Sequence, residues 1–339
     1  MKFDTNDFRD QLEGKKILIT GASGFIGQNL SKCLINLGAI VHGTSRHKSG
    51  ADSGLEGMYW WQGTFEDPGT ARKVLKKTRP DYIFHLAGDV TAANDQKHLL
   101  STYNSLLTST VNLLTEAVDM GCEKIVLAGS STEPVDLNIT PASPYAAAKL
   151  GTVVYGSLFQ QLYKLPVVMI RPFMGYGPAQ PKYKILPHVI MSILNGHQPK
   201  LTSGKWEVDW IYIDDLVEGI LAATTHSQIY DKPLDLGSGK LTSVREMVEM
   251  IADIMETEIE PAFGAIPDRF SEQPRIADVE TTRSLIGWQV KTSLETGLRT
   301  MVQWFREQVK EVKHAYLFLG IFFCKYNYVA QSMQFDYLL

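Results

Sequence analysis

"KILITGASGFIGQNLSKCLINLG", residues 16–38, decides how this chain folds. Its first five residues form a short apolar run of the kind that makes a buried strand. Gly21, Gly24 and Gly27 follow at a three-residue step. Beyond them Ile26, Leu30, Leu34 and Leu37 recur along one side of a helix that Gly38 stops. A glycine directly after a strand permits a tight turn. The next lets backbone approach a pyrophosphate, and the last lets helix pack close to strand. The helix N-terminus then offers unpaired N–H groups and a partial positive charge to the phosphates. A nucleoside-triphosphate loop would end in Gly-Lys-Ser/Thr, which is absent here.

The same alternation continues outward. Strand-like runs at 39–46, 57–63, 81–88, 124–131 and 166–173 are separated by helix-like segments at 66–79, 99–120 and 144–163. Near-continuous apolar strands joined by helices imply an α/β fold. With right-handed crossovers it is a doubly wound parallel sheet of Rossmann type. After about residue 175 the alternation breaks down. Helices are expected at 184–196, 243–255 and 293–308, in a smaller C-terminal α/β lobe for the substrate. The expected division is 1–174 for the dinucleotide, 175–312 for the substrate lobe with some segments returning to the sheet, and 313–339 as an apolar tail.

Composition narrows the function. A net charge of −4 gives no basic surplus for nucleic acid, so no nucleic-acid partner is expected. Cys33, Cys122 and Cys324 are few and far apart, which suits a reducing, cytoplasmic compartment. The eight histidines show no zinc-binding spacing, and no metal is expected. The apolar run 315–324 is about half of a bilayer span, so no membrane crossing is expected.

The cofactor is read at the end of the second strand. An acid there would bond a ribose 2′-hydroxyl, whereas an arginine suits a 2′-phosphate. The chain has Ser45 and Arg46 and no acid, which favours NADP over NAD. The chemistry is read further on. Tyr145 and Lys149 are four residues apart and share a helical face. A tyrosine with its ordinary pKa near 10 is too weakly acidic to serve as a base at neutral pH. A neighbouring ammonium stabilises the phenolate. Ser131, fourteen residues earlier, supplies a hydroxyl for the substrate oxygen.

These motifs together resemble the extended short-chain dehydrogenases, the NAD(P)-dependent nucleotide-sugar epimerase/dehydratase family. The resemblance runs over roughly 14–308, through "HLAG" (85–88), "RPFMGYGP" (171–178), "DWIYIDDLVEGI" (209–220), "DLGSGK" (235–240) and "IGWQVKTSLETGL" (286–298). It implies a catalytic trio of Ser131, Tyr145 and Lys149. It implies cofactor contacts from Gly21, Ser23, Gly24, Phe25, Ile26, Gly27, Ser45, Arg46, Thr64 and Phe65. Further cofactor contacts are implied from Leu86, Ala87 and Gly88, from Tyr145 and Lys149, and from Pro172 and Phe173. Thr132, Met174 and Arg269 would meet a nucleotide diphosphate-sugar. Glu133 follows the catalytic hydroxyl by two, as in the 4,6-dehydratases and decarboxylases, and would act as a second acid/base beside a transient 4-ketone. The long helices near 99–118 and 144–163 would pair across a two-fold in a homodimer.

Some positions depart from the family's habit. Met174 stands where Asn is frequent, Thr64 where Asp is, and "EPVD" (133–136) replaces the frequent "xVYG" ending. Val208 stands where an Arg often grips the diphosphate, leaving that role to Arg269 or Arg275. Two other functions stay open: an NADPH-dependent 4-ketoreductase of a nucleotide sugar, and a non-catalytic NADP-binding sensor.

Overall fold

The computed structural model of the 339-residue chain describes residues 6–46, 55–90, 95–134, 136, 138–228, 231–268 and 274–318. It divides into two compact units. The first holds residues 1–175, 209–241 and 272–291; the second holds 176–208, 242–271 and 292–339.

The first unit opens with helix α1 (Asn6–Leu12), strand β1 (Lys16–Thr20) and helix α2 (Phe25–Asn36). Then come β2 (Ile40–Ser45), β3 (Met58–Gln62), α3 (Pro68–Thr78) and β4 (Tyr82–His85). The long helix expected at 99–120 is interrupted. It runs as α4 (Leu99–Thr102), a π-helical turn (Tyr103–Thr108) and α5 (Ser109–Met120). Strand β5 (Lys124–Ala128), helix α6 (Pro144–Tyr163) and strand β6 (Val167–Pro172) complete the sequence-visible core.

The rest of the order adds short strands that the sequence reading did not place individually. The short strands β7 (Met174–Tyr176) and β8 (Glu207–Tyr212) flank α7 (Ile185–Leu194) in sequence. Helix α8 (Ile213–Thr225) leads to β9 (Leu234–Leu236), which adds a seventh strand to the main sheet. Three-residue strands carry too few positions for an alternation to register in the sequence. Then follow β10 (Leu241–Ser243), α9 (Val244–Met255), α10 (Val279–Ile286) and α11 (Leu294–Phe318).

The main sheet has the order β3-β2-β1-β4-β5-β6-β9, with parallel pairing throughout. The chain reverses direction across the sheet between β1 and β4. In open α/β sheets that switch point is where ligands bind, beyond the strands' carboxyl ends. One layer of the core packs Leu18, Ile83, Ile125 and Leu127 of the sheet against Val74, Leu75, Leu113, Leu114 and Phe159 of the helices. In the second unit α9 packs on α7 and α11, and a Ser243–Glu246 capping box starts α9.

Candidate active site

The glycine loop has the form that a pyrophosphate needs. Gly21 adopts φ +71°, and a Cβ there would lie 2.8 Å from the Ala87 nitrogen. A Cβ on Gly27 would overlap the Gly21 carbonyl oxygen, so only glycine lets α2 approach β1 this closely. Gly24 N donates to Gly21 O, and the helical ladder begins with Gln28 N donating to Gly24 O. No side chain caps the α2 N-terminus, so the N–H groups of Phe25, Ile26 and Gly27 are presented to an anion. Ser23 lies within the loop, and its carbonyl accepts from Gln28 Nε2. These residues fit a dinucleotide.

The loop after β4 lies on the other side of the switch point. Leu86 N donates to Thr20 O, and Ala87 N donates to Thr20 Oγ1. A Cβ on Gly88 would collide with Leu106 of the π-helical turn. Arg46 is exposed at the end of β2 and Ser45 is half-buried. Thr64 is half-buried as well. Phe65, three residues past the end of β3, is 3% exposed and packs in the hydrophobic core with residues of α3 and α5. Its carbonyl accepts from Asn112 Nδ2.

The tyrosine–lysine pair sits on the first turns of α6. Ser143 caps the helix by accepting from Ala146 N, and Pro144 fills the first position. Tyr145 is half-exposed and Lys149 is buried one turn later. Lys149 Nζ lies 5.8 Å from the Tyr145 ring centroid and donates to the Ala128 carbonyl at 2.6 Å. Burial lowers the Lys149 pKa to about 8, with Glu133 partly opposing the shift.

Ser131 and Thr132 are half-exposed beyond β5. Thr132 N donates to Ser130 Oγ, and the Ser130 and Thr132 hydroxyls lie 3.0 Å apart. Glu133, expected as a second acid/base, lies next in the loop. Its side chain is 1% exposed and faces the interior. One oxygen accepts from Ser130 N at 2.6 Å and the other from Arg171 Nε at 3.0 Å. Arg171 also donates to Asp235 at 2.6 Å, and Arg275 Nη1 donates to the Glu133 carbonyl. A carboxylate held this way anchors the serine loop to β6 and β9.

Pro172 ends β6 opposite Leu236, and Phe173 N donates to Leu236 O. Met174 is half-buried in β7, and Val208 is buried in β8. Arg269 lies outside the described residues, as do residues 319–339 of the tail. The sequence reading missed Asp209. That carboxylate is buried and accepts from Ser238 N, Ser238 Oγ, Gly239 N and Ala277 N. The aspartate inside a strand-like "DWIYI" was the available signal. Among the described residues no cluster could hold a metal ion, and no helix is long and apolar enough to cross a membrane.

A glycine cradle at the switch point and a tyrosine–lysine pair on the first turns of α6 fit the dinucleotide-dependent oxidoreductase class of fold. The chain belongs to the NAD dependent epimerase/dehydratase family, whose match spans residues 17–235, and it is an enzyme. It is 30% identical over 315 residues to the UDP-glucose 4-epimerase of Mycolicibacterium smegmatis, covering 86% of this chain and 99% of that one. Among solved structures it is similar to a Thermotoga maritima UDP-glucose 4-epimerase with UDP-glucose, at TM-score 0.80 and 26% identity, with 86% and 99% of the chains covered. A Thermus thermophilus UDP-glucose 4-epimerase complexed with NAD shares the fold at TM-score 0.77 and 22% identity, with 86% and 98% covered.

Proposed function

We propose that the chain is a nucleotide-sugar 4-epimerase that works through a transient 4-keto sugar. The supporting observation is the pairing of Tyr145 with the buried Lys149 ammonium beside the serine loop, while Glu133 is tied to Arg171. A bound nicotinamide would accept a hydride from the sugar and return it. Tyr145 takes the proton of the C4 hydroxyl and gives it back to the inverted alkoxide. Lys149 stabilises the phenolate, and Ser131 donates to the C4 oxygen. Thr132, Met174 and Arg275, with Arg269, hold the substrate. Elimination of water would need a further base, and Glu133 has both oxygens engaged. Epimerisation is therefore favoured over dehydration.

The cofactor of this reading is NADP, with NAD as the alternative. Arg46 is exposed at the end of β2 and free to meet a 2′-phosphate. The active form is a cytoplasmic homodimer. Leu100, Tyr103, Val154, Leu158 and Leu162 expose an apolar face along α4, the π-helical turn and α6, which a second copy would cover.

The test is a panel of nucleotide diphosphate-sugars incubated with the protein and NADP or NAD. A C4 epimer of unchanged mass, with no net change in cofactor, is the expected product. Loss of one water would identify a dehydratase, and net NADPH consumption a ketoreductase. Dinucleotide binding without turnover of any sugar would favour the sensor.

A further inference from the structure

We propose that His85 is a positioning residue for the dinucleotide. It is a neutral imidazole, protonated at Nε2, that ties the loop after β4 to the glycine strand on one side and to the π-helical turn on the other. This rests on the dinucleotide reading of the site given above.

His85 is the last residue of β4, 3% exposed, and in register with Thr20, the last residue of β1. Its Nδ1 lies 2.8 Å from Thr20 Oγ1, and its Nε2 lies 3.3 Å from Ser109 Oγ. The direction of each bond follows from the hydroxyls, because a hydroxyl has one proton to give. Thr20 Oγ1 accepts the Ala87 N–H at 3.2 Å, so its own proton is available for Nδ1. Ser109 Oγ gives its proton to the Ser105 carbonyl at 2.5 Å, so it accepts from Nε2. The Ser109 end requires the Nε2–H tautomer, and the Thr20 hydroxyl, free to turn its proton toward Nδ1, is compatible with it. Ala87 N–H donates to Thr20, Thr20 to His85, His85 to Ser109, and Ser109 to Ser105. A second proton on the ring would turn the Thr20 hydroxyl from donor to acceptor and break the chain at that bond. Burial, and secondarily the Lys149 ammonium, lower the His85 pKa to about 3, in keeping with the neutral ring.

The chain of bonds fixes a particular piece of backbone. Ala87 N lies against Gly21, where a Cβ would sit 2.8 Å away. Two residues on, Asp89 N donates to Ser105 Oγ at 3.0 Å. Gly88, between them, is pressed against Leu106. Residues 86–89 are thus held from both sides by groups that converge on His85. A loop fixed in this way keeps its backbone where the dinucleotide meets it. A merely satisfied core histidine would stabilise the fold without favouring one substrate of the enzyme over another.

The test compares His85→Asn with His85→Gln, since the Asn carboxamide overlays Nδ1 and the Gln carboxamide overlays Nε2. Asn keeps an acceptor for Thr20 and so keeps the Ala87 side. Gln keeps the donor to Ser109 and loses the Thr20 side. The expected result is a dinucleotide dissociation constant raised about tenfold in His85→Gln, the worth of a lost hydrogen bond, with His85→Asn nearer the wild type. The KM for the sugar nucleotide should not follow. A fall in melting temperature with unchanged dinucleotide affinity in both variants overturns the proposal. Two readouts on the unliganded protein stand independently of turnover. Nitrogen NMR should show the Nε2–H tautomer unchanged from pH 5 to 8, and the Ala87 amide should exchange faster in His85→Gln than in His85→Asn. A titrating ring or an Nδ1–H tautomer also overturns it. If the wild type binds no dinucleotide, the proposed function fails, and these two readouts still decide the hydrogen-bonded chain.

Discussion

Lys149 Nζ donates to the carbonyl oxygen of Ala128 at 2.6 Å. That bond joins the first turns of α6 to the end of β5, the strand that delivers the serine loop. It holds the ammonium one helical turn from Tyr145, where a flexible lysine would otherwise sample many rotamers.

Tyr145 is the proton-transfer residue of the proposed reaction. Tyr145→Phe should reduce single-turnover sugar oxidation by about 10²–10⁴-fold. The dinucleotide dissociation constant should stay within a few-fold, because the glycine loop is untouched. Undiminished turnover would place the chemistry elsewhere.

The Lys149 shift makes stability depend on pH. Below pH 8 the lysine is protonated in both folded and unfolded chains, and its burial penalty is constant. Between about 8 and the ordinary value of 10.5 the folded protein releases the proton while the unfolded chain keeps it. Stability therefore rises with pH across that window, by up to about 3 kcal/mol. Urea unfolding should show this rise in the wild type and not in Lys149→Met.

The Glu133–Arg171–Asp235 group separates anchoring from acid/base work. If Glu133 only anchors, Glu133→Gln keeps an acceptor for Ser130 N and should retain turnover within about tenfold. A base would lose far more. Arg171→Met leaves two buried carboxylates without their partner and should cost about 3–5 kcal/mol in urea unfolding. The double variant, with one carboxylate fewer, should recover part of that loss.

Arg46 tests the cofactor. Arg46→Ala should weaken NADP by roughly tenfold to a hundredfold and leave NAD nearly unchanged, since one charge-assisted contact to a phosphate is removed. Titration of each dinucleotide by fluorescence measures both. Equal losses for the two would return the preference to NAD.

The first half of the fold was legible because its signals are local. Five apolar residues, a glycine step and a helical stripe are all read within 23 residues at Lys16–Gly38. Tyr145 and Lys149 are neighbours by helix geometry alone. The short strand β9 was not legible, since three residues at Leu234–Leu236 gain their strand identity only by pairing with β6. The π-helical turn at Tyr103–Thr108 was hidden too, because a widened turn leaves the apolar content of a helix unchanged.

What the amino-acid order determined by itself was the set of repeating local geometries: strand, glycine turn, helix, and a tyrosine one turn from a lysine. Tertiary structure alone decided where polar side chains point. Glu133 is turned inward by Arg171, 38 residues away, and His85 takes its tautomer from Ser109, 24 residues away. Such partners meet only after the sheet has assembled, and a buried polar group must then take whichever partner the packing supplies.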